Sequence, residues 1–426
     1  MRNEKLALFG GTKVIKKTFK RYNSIGKEEI NAVNKVMKTG ILSNYIANRS
    51  DQFYGGKKVK EFETMCQKYF NVKRAITVNS WTSGLIAAVG ALDINPGDEI
   101  IVSPWTMCAT ATAIVHWNAI PVFADIENKT FNLDPKKVEE KITNRTKAIM
   151  SVDIFGHPGP MDELKKIAKK YKLKIISDAA QSPAAMYKNK YAGTMVDIGG
   201  ISLNCHKHIQ TGEGGVLFTN DIKLAERMCM IRNHAEVIVK GNSTKELANM
   251  IGYNFRLGEI ECAIGIEQLK KLKSIIVSRR QIAKRLNKEL KNLRGLRTPI
   301  VKKGCTHSYY AYPMVIDTKM LGISKKKIYK ALIAEGVQGL QINFTNVHRL
   351  PMFINKIAYG KKNFPWTYNK NSKIIKYGKG TCPVAEDLLD NTYMGFGMFV
   401  YEYTKSDINL IIKSFKKVWS NLHKLK

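Results

Sequence analysis

At 426 residues, 44% of them hydrophobic, the chain is long enough for a large core and for two units, or one large unit with a smaller one attached. No apolar run approaches the ~18 residues of a membrane span and no signal-peptide core follows Met1, so a soluble, cytoplasmic protein is expected. The formal net charge of +35 comes from lysines spread along the whole chain, as in Lys57-Lys58, Lys136-Lys137, Lys165-Lys166, Lys325 to Lys327 and Lys361-Lys362; with no basic arm interleaved with aromatics, this argues for a solvating surface that also attracts an anionic substrate, and against nucleic-acid binding.

Taken in order, Met1 to about Gly56 holds one predicted helix, Lys27 to Lys38, followed by glycine-rich and polar loop. Val59 to Phe70 reads as an amphipathic helix. Strand-like runs then follow at Ala75–Val78, Glu99–Ser103, Pro121–Ala124, Lys147–Phe155, Lys174–Ser177, Asp197–Leu203 and Val216–Thr219, with helical stretches such as Ser83–Leu92, Cys108–Trp117 and Pro160–Tyr171 between them. That alternation predicts an α/β fold with a largely parallel sheet covered on both faces. After Leu257 a long helical stretch through about Leu293 leads into a second, smaller unit. It comprises strands within Gly295–Asp317, a helix at Lys325–Glu335, a basic loop or short helix at Asn371–Lys379, a strand at Met398–Tyr403 and a helix from Ser406. The division is therefore an N-terminal segment 1–56, a large unit 57–258, and a connecting helix with a small unit 259–426.

The seven cysteines (Cys66, Cys108, Cys205, Cys229, Cys262, Cys305 and Cys382) are odd in number and scattered, with no Cys-x-x-Cys pair. Neither a disulfide framework nor a zinc site follows, and His206-x-His208 has no third metal ligand at suitable spacing. Three other features carry chemistry. Lys207 sits on a short turn between two predicted strands, where desolvation and neighbouring cations lower an amine's pKa toward the nucleophilic free base; on that stretch alone a solvated lysine is the commoner case. Asp178 ends the apolar run Ile175-Ile176-Ser177 and is followed by small residues, which places a carboxylate at a buried strand's tip. Asn79-Ser80-Trp81-Thr82-Ser83-Gly84-Leu85 follows a strand and opens a helix, a seat for phosphate. An amine nucleophile, a buried carboxylate and a phosphate seat together fit pyridoxal phosphate, held as an imine by lysine, protonated at its ring nitrogen by aspartate and anchored by its phosphate.

The pattern Ser-x-x-x-x-Lys-x-Ile-x-x-Gly-Glu-Gly-Gly, met by Ser202, Lys207, Ile209 and Gly212 to Gly215, resembles the DegT/DnrJ/EryC1/StrS family of pyridoxal-phosphate enzymes. The likeness runs from Leu6-Ala7-Leu8-Phe9-Gly10-Gly11 to Pro383-Val384-Ala385-Glu386. It implies an aspartate-aminotransferase-like fold (fold type I), with a mostly parallel seven-stranded sheet in the large domain and a smaller C-terminal α/β domain. It also implies Asp178 on the cofactor's ring nitrogen, Gln181 on the phenolic oxygen, and Thr82, Ser83 and Ser202 on the phosphate. Asn254, in Gly252-Tyr253-Asn254-Phe255-Arg256-Leu257, would reach the phosphate of the neighbouring subunit of a homodimer; read without the family it is a cap for the helix from about Glu259.

Two residues depart from the family pattern. Trp81 stands where a glycine is usual and must take φ < 0 or accept strain. Met107 stands where an aromatic stacks on the cofactor ring, so either its thioether covers the ring or Trp105 takes over, with Met107 preferred and a core or rim position the other reading of Trp105. Family dehydratases carry histidine where the aminotransferases carry lysine; with Ser202 five before and Gly212 five after, that position here is Lys207. The implied activity is ping-pong transfer of an amino group from glutamate or glutamine to a keto-sugar, expected to be nucleotide-linked, for which the basic surface is suited. The same core residues serve a cyclitol (scyllo-inosose type) aminotransferase or an aminobenzoate-type synthase, and a different class altogether is a non-catalytic basic regulatory or nucleic-acid-binding protein on this fold. Whether His206 or His208 assists Lys207 is left open by the sequence.

Overall fold

The computed structural model describes residues 4–48, 50–236, 247–368 and 374–426. Helices α1 (Lys27–Thr39) and α2 (Lys57–Phe70) precede the first strand. Strand and helix then alternate as β1 (Arg74–Val78), α3 (Trp81–Ala91), β2 (Glu99–Val102), α4 (Cys108–His116), β3 (Ile120–Phe123), α5 (Pro135–Glu139), β4 (Thr146–Val152), α6 (Met161–Tyr171) and β5 (Lys174–Asp178). A hairpin of β6 (Met186–Tyr187) and β7 (Lys190–Tyr191) leads to β8 (Ile198–Ser202), β9 (Gly215–Thr219) and α7 (Ile222–Arg232).

Seven of these strands form one sheet in the order β1-β9-β8-β5-β4-β2-β3. From β8 to β3 every pairing is parallel, while β9 runs against both β8 and β1. Side chains alternate between two buried faces, as a sheet covered on both sides requires. Ile100, Val102, Met150 and Ile176 pack with α3 and α4, whereas Ile101, Ile149 and Ile175 pack with α5 and α6. The fold is the α/β, type I architecture that the alternation and the family resemblance predict. Edge strand β3 carries Pro121, which has no N–H to offer, and its carbonyl is taken by the Tyr377 hydroxyl at 2.7 Å, so the edge is closed to further strands.

The 32-residue helix α8 (Glu259–Leu290) then runs to β10 (Leu296–Arg297), β11 (Ala311–Ile316), α9 (Thr318–Leu321), α10 (Lys325–Ala334), β12 (Leu340–Gln341), α11 (Pro351–Ile354), α12 (Pro383–Asp387), β13 (Tyr393–Gly397) and α13 (Lys405–Ser420). Its strands make an antiparallel sheet, β10-β11-β13-β12. Leu6, Ile15 and Phe19 are buried in this sheet's core. The N-terminal segment is pinned there by Glu335, which accepts from the Ala7 and Val14 N–H groups and pairs with buried Lys417 at 2.9 Å. Among the described residues no helix is long and apolar enough to cross a membrane.

The C-terminal strand lies upstream of its predicted place. Residues 398–403 turn away from the sheet, with Tyr401 bridged to Arg21, and β13 instead covers Tyr393-Met394-Gly395-Phe396-Gly397. Its glycines resemble strand breakers, yet a Cβ on Gly395 would come within 2.7 Å of the Tyr393 hydroxyl and 3.2 Å of the Tyr312 carbonyl of β11, and one on Gly397 within 3.0 Å of Val400, so close approach by neighbours explains them. Of the expected loop or helix Asn371–Lys379, residues 371–373 fall outside the described residues, and the remainder runs along β3 through the Tyr377 contact.

The segment between β12 and β13 is organised by Glu386. Its carboxylate accepts from the Gly380 and Cys382 N–H groups, meets His348 Nε2 at 3.0 Å and pairs with Arg349 at 2.9 Å. Burial pushes the carboxyl's pKa up, but these donors outweigh it and bring it to about 2. A folded-state pKa below the unfolded value of ~4.3 gives stability that is present above that pH and lost as pH falls toward 2. Glu386→Gln should therefore cost roughly 2–3 kcal/mol in urea denaturation at pH 7, with the gap to wild type closing between about pH 4 and pH 2.

Candidate active site

The carboxyl ends of the strands meet along one edge of the large sheet, where ligands of such sheets collect. Asp178 ends β5 and Ser202 ends β8, in parallel register with Asp178 opposite Gly200. The chain leaves β8 in a loop closed by Leu203 N–H to the Gly214 carbonyl and Thr211 N–H to the Leu203 carbonyl, both 2.9 Å. Gly214 has φ +154°, and a Cβ there would meet Thr211 Oγ1 at 2.7 Å, so only glycine closes this loop. Inside it, the Lys207 N–H is bonded to the Asn204 carbonyl at 2.9 Å. The Lys207 amine lies 4.6 Å from the ring centroid of Tyr310, which stacks on Phe399 at 4.5 Å. Burial depresses the amine's pKa to about 8, against the opposing pull of the Asp178 charge.

Asp178 is buried and its carboxylate accepts on both oxygens. Trp81 Nε1 donates to Oδ1 at 2.7 Å and the Ala180 N–H at 3.1 Å, while Thr110 Oγ1 donates to Oδ2 at 2.7 Å. Asp153, beside it at the end of β4, accepts from Ser177 Oγ and the Gly159 N–H, each at 2.7 Å, and burial pushes its pKa up to about 7. Gln181 Oε1 accepts from the Phe155 N–H at 2.8 Å, which leaves the amide's NH2 as its free donor end.

At the start of α3, Ser80 Oγ accepts from the Ser83 N–H at 3.0 Å and Ser83 Oγ donates to Asn79 Oδ1 at 2.7 Å. Ser83 is thus engaged in the helix cap, and Thr82 is the exposed hydroxyl on the first turn, where helix N–H groups lack intrahelical partners and favour anions. Trp81 takes an ordinary helical backbone as the first residue of α3, so replacing glycine there brings no strain. Ser202 is buried, its Oγ accepting from the Asn204 N–H at 3.2 Å.

The remaining candidates separate clearly. Trp105 is fully buried, donating to Asn346 Oδ1 at 2.7 Å and stacked on Phe131; it is a core residue and cannot cover a cofactor. Met107, just before α4, is 69% exposed. Asn254 is exposed, with Oδ1 accepting from Arg256 Nε at 2.8 Å, and it caps no helix, since Gly258 precedes α8. His206 is exposed near Phe399. His208 is fully buried, with Nε2 bonded to the Ser308 carbonyl at 3.0 Å and Nδ1 sealed without a partner, so neither ring nitrogen is open to a substrate. Sequence reasoning missed the Tyr310–Phe399 wall and the donors on Asp178; Thr110 on α4, four residues after Thr106 in the loop before it, was the one local signal.

An inward amine near neutrality, a carboxylate that accepts from every neighbouring donor and a helix N-terminus with a free hydroxyl suit pyridoxal phosphate. The profile of the DegT/DnrJ/EryC1/StrS aminotransferase family matches residues 23–379. The chain belongs to this family. The family's aminotransferases use pyridoxal phosphate, and their reaction class, amino-group transfer, is that of this chain. Among its relatives, the spore coat polysaccharide biosynthesis protein SpsC of Bacillus subtilis (strain 168) is 33% identical over 351 residues, 81% of this chain and 87% of that protein. GDP-perosamine synthase of Escherichia coli O157:H7 is 33% identical over 301 residues, 71% of this chain and 80% of that protein. The solved structure of Helicobacter pylori PseC, an aminotransferase involved in the biosynthesis of pseudoaminic acid, is 26% identical with a TM-score of 0.77, covering 95% of this chain and all of that one (100%).

If Lys207 captures the cofactor as a free amine, the rate at which apo-protein takes up pyridoxal phosphate, followed by visible absorbance, should rise with a midpoint near pH 8. Asp178→Asn removes the charge that holds the amine's pKa up, so the midpoint should fall.

Proposed function

We propose that this aminotransferase carries an amino group from glutamate or glutamine to a keto-sugar linked to a nucleotide, in ping-pong turnover through Lys207. The observation that carries the reading is the Lys207 amine, turned inward over Tyr310 within the field of Asp178 and depressed to about 8. A lysine is what amino transfer needs at this position, because one amine must both hold an aldehyde and move a proton.

Bound there, pyridoxal phosphate supplies an aldehyde for the amino group and a ring that takes up the electron pair left when a substrate carbon loses its proton. Lys207 Nζ removes that proton and returns it, a role its lowered pKa suits near neutral pH. Asp178 holds the ring nitrogen's proton, Gln181 donates through its NH2 to the phenolic oxygen, and Met107 covers one ring face. Thr82 and Ser202 hold the phosphate with the N-terminus of α3, and Ser83 shapes that turn through its cap. Asn254 reaches the phosphate of a second copy, so each site of the homodimer is shared. The division of the chain at residues 56/57 and 258/259 leaves all of these groups except the Tyr310–Phe399 wall on the middle unit.

The nucleotide-linked acceptor is supported by the relatives' names, which include GDP-perosamine synthase and a UDP-linked amino-sugar transaminase, and by the +35 net charge, which favours an anionic substrate. Lys207→Ala should lose at least about a thousandfold in the glutamate half-reaction, the upper part of the range for removing an acid–base group. Mixing Lys207→Ala with Asn254→Ala subunits tests the shared site. Hybrid dimers should regain activity at the site that has both residues intact, whereas an Asn254 acting within its own subunit leaves no intact site and no recovery.

A further inference from the structure

Trp81 stands at a position where glycine would leave open backbone, and its bulk is accommodated from several sides. A Cβ on Gly200 of β8 would lie 2.2 Å from the Val216 carbonyl of β9 and 2.4 Å from the indole's Cζ3 and Cη2, and one on Gly84 of α3 would lie 2.8 Å from Cε3. Only bare backbone on the sheet and on the helix leaves the ring its slot. The slot directs the indole N–H to Asp178 Oδ1 at 2.7 Å, at a side chain that is 6% exposed. A residue present only to fill this space would need no donor; a buried indole N–H needs an acceptor, and this one has a carboxylate, among the stronger hydrogen bonds a side chain makes.

The bond also fixes geometry. Trp81 Nε1 and the Ala180 N–H hold Oδ1, while Thr110 Oγ1, itself 2.6 Å from Thr106 Oγ1, holds Oδ2. With a donor on each oxygen the plane of the carboxylate cannot turn freely, and the lone-pair directions that remain are set.

We propose that Trp81 is a positioning residue for the cofactor: its indole N–H holds the Asp178 carboxylate in the orientation from which it bonds the ring nitrogen. This rests on the reading of Asp178 as the ring-nitrogen partner. Trp81 itself touches neither substrate nor reacting atoms, and its effect passes through Asp178 to one atom of the ring.

That single-atom route gives the test. Apo-protein is titrated with pyridoxal phosphate and with its 1-deaza analogue, in which C–H replaces the ring nitrogen, and the ratio of dissociation constants is compared between variants. Wild type should prefer pyridoxal phosphate. In Trp81→Phe that preference should fall by roughly tenfold, the scale of one misaligned charge-assisted hydrogen bond, with affinity for the analogue little changed. Gly84→Ala, which keeps Trp81 but takes its room, should lower the preference in the same way; circular dichroism of the apo-forms verifies that each variant is folded. Equal weakening of both ligands with the preference intact, in either folded variant, would mean that Trp81 only fills space and overturns the proposal. A wild-type protein that shows no preference would remove Asp178 from the ring nitrogen and sink the underlying reading as well, an outcome visible without any variant.

Discussion

The role proposed for Lys207, nucleophile and proton carrier near neutral pH, requires its amine to be taken out of water, and the site depends on how that is done. The loop between β8 and β9 is short and tied to itself through Leu203, Thr211 and Gly214, which presents the lysine backbone at the sheet's carboxyl edge. Over the amine lies the ring of Tyr310, itself stacked on Phe399. The Asp178 charge opposes the effect of burial and keeps the amine's pKa near 8 instead of lower.

The small antiparallel sheet is therefore part of the site and not an appendage. Tyr310 immediately precedes β11 and Phe399 follows β13, adjacent strands whose register brings Ala311 opposite Gly397. Whatever holds that sheet in place also holds the wall over Lys207. Leu6, Ile15 and Phe19 from the N-terminal segment, with Glu335 and Lys417, do so from one side, and the Glu386 cluster does so from the other. Residues remote in sequence from Lys207 are thus connected to its surroundings through packing, hydrogen bonds and ion pairs.

Much of this was open to sequence reasoning because the relevant signals are local. An apolar run ending in an acid gave Asp178 its strand tip, glycines flanking Lys207 marked its turn, and strand–helix alternation predicted the sheet that brings both to one edge. What sequence could not show depends on distance or on backbone approach. The Trp81–Asp178 bond joins residues 97 apart, so from sequence Trp81 is a departure from the family pattern that raises only the question of backbone strain. Gly395 and Gly397 of β13 imitate breakers because their reason, the side chains and the Tyr312 carbonyl that crowd them, appears only in the folded chain. Trp105 and Met107 sit two residues apart on one loop, and only burial shows that the tryptophan faces the core while the methionine faces out.

The central claim is that one lysine, in a chain with 70 lysines and arginines, is the cofactor's attachment point. Protein loaded with pyridoxal phosphate, reduced with borohydride, digested and read by mass spectrometry addresses it directly. The account predicts a pyridoxyl label on the peptide carrying Lys207 at close to one per chain, with other lysines at background. A label distributed over surface lysines, or concentrated on a lysine other than Lys207, would contradict it.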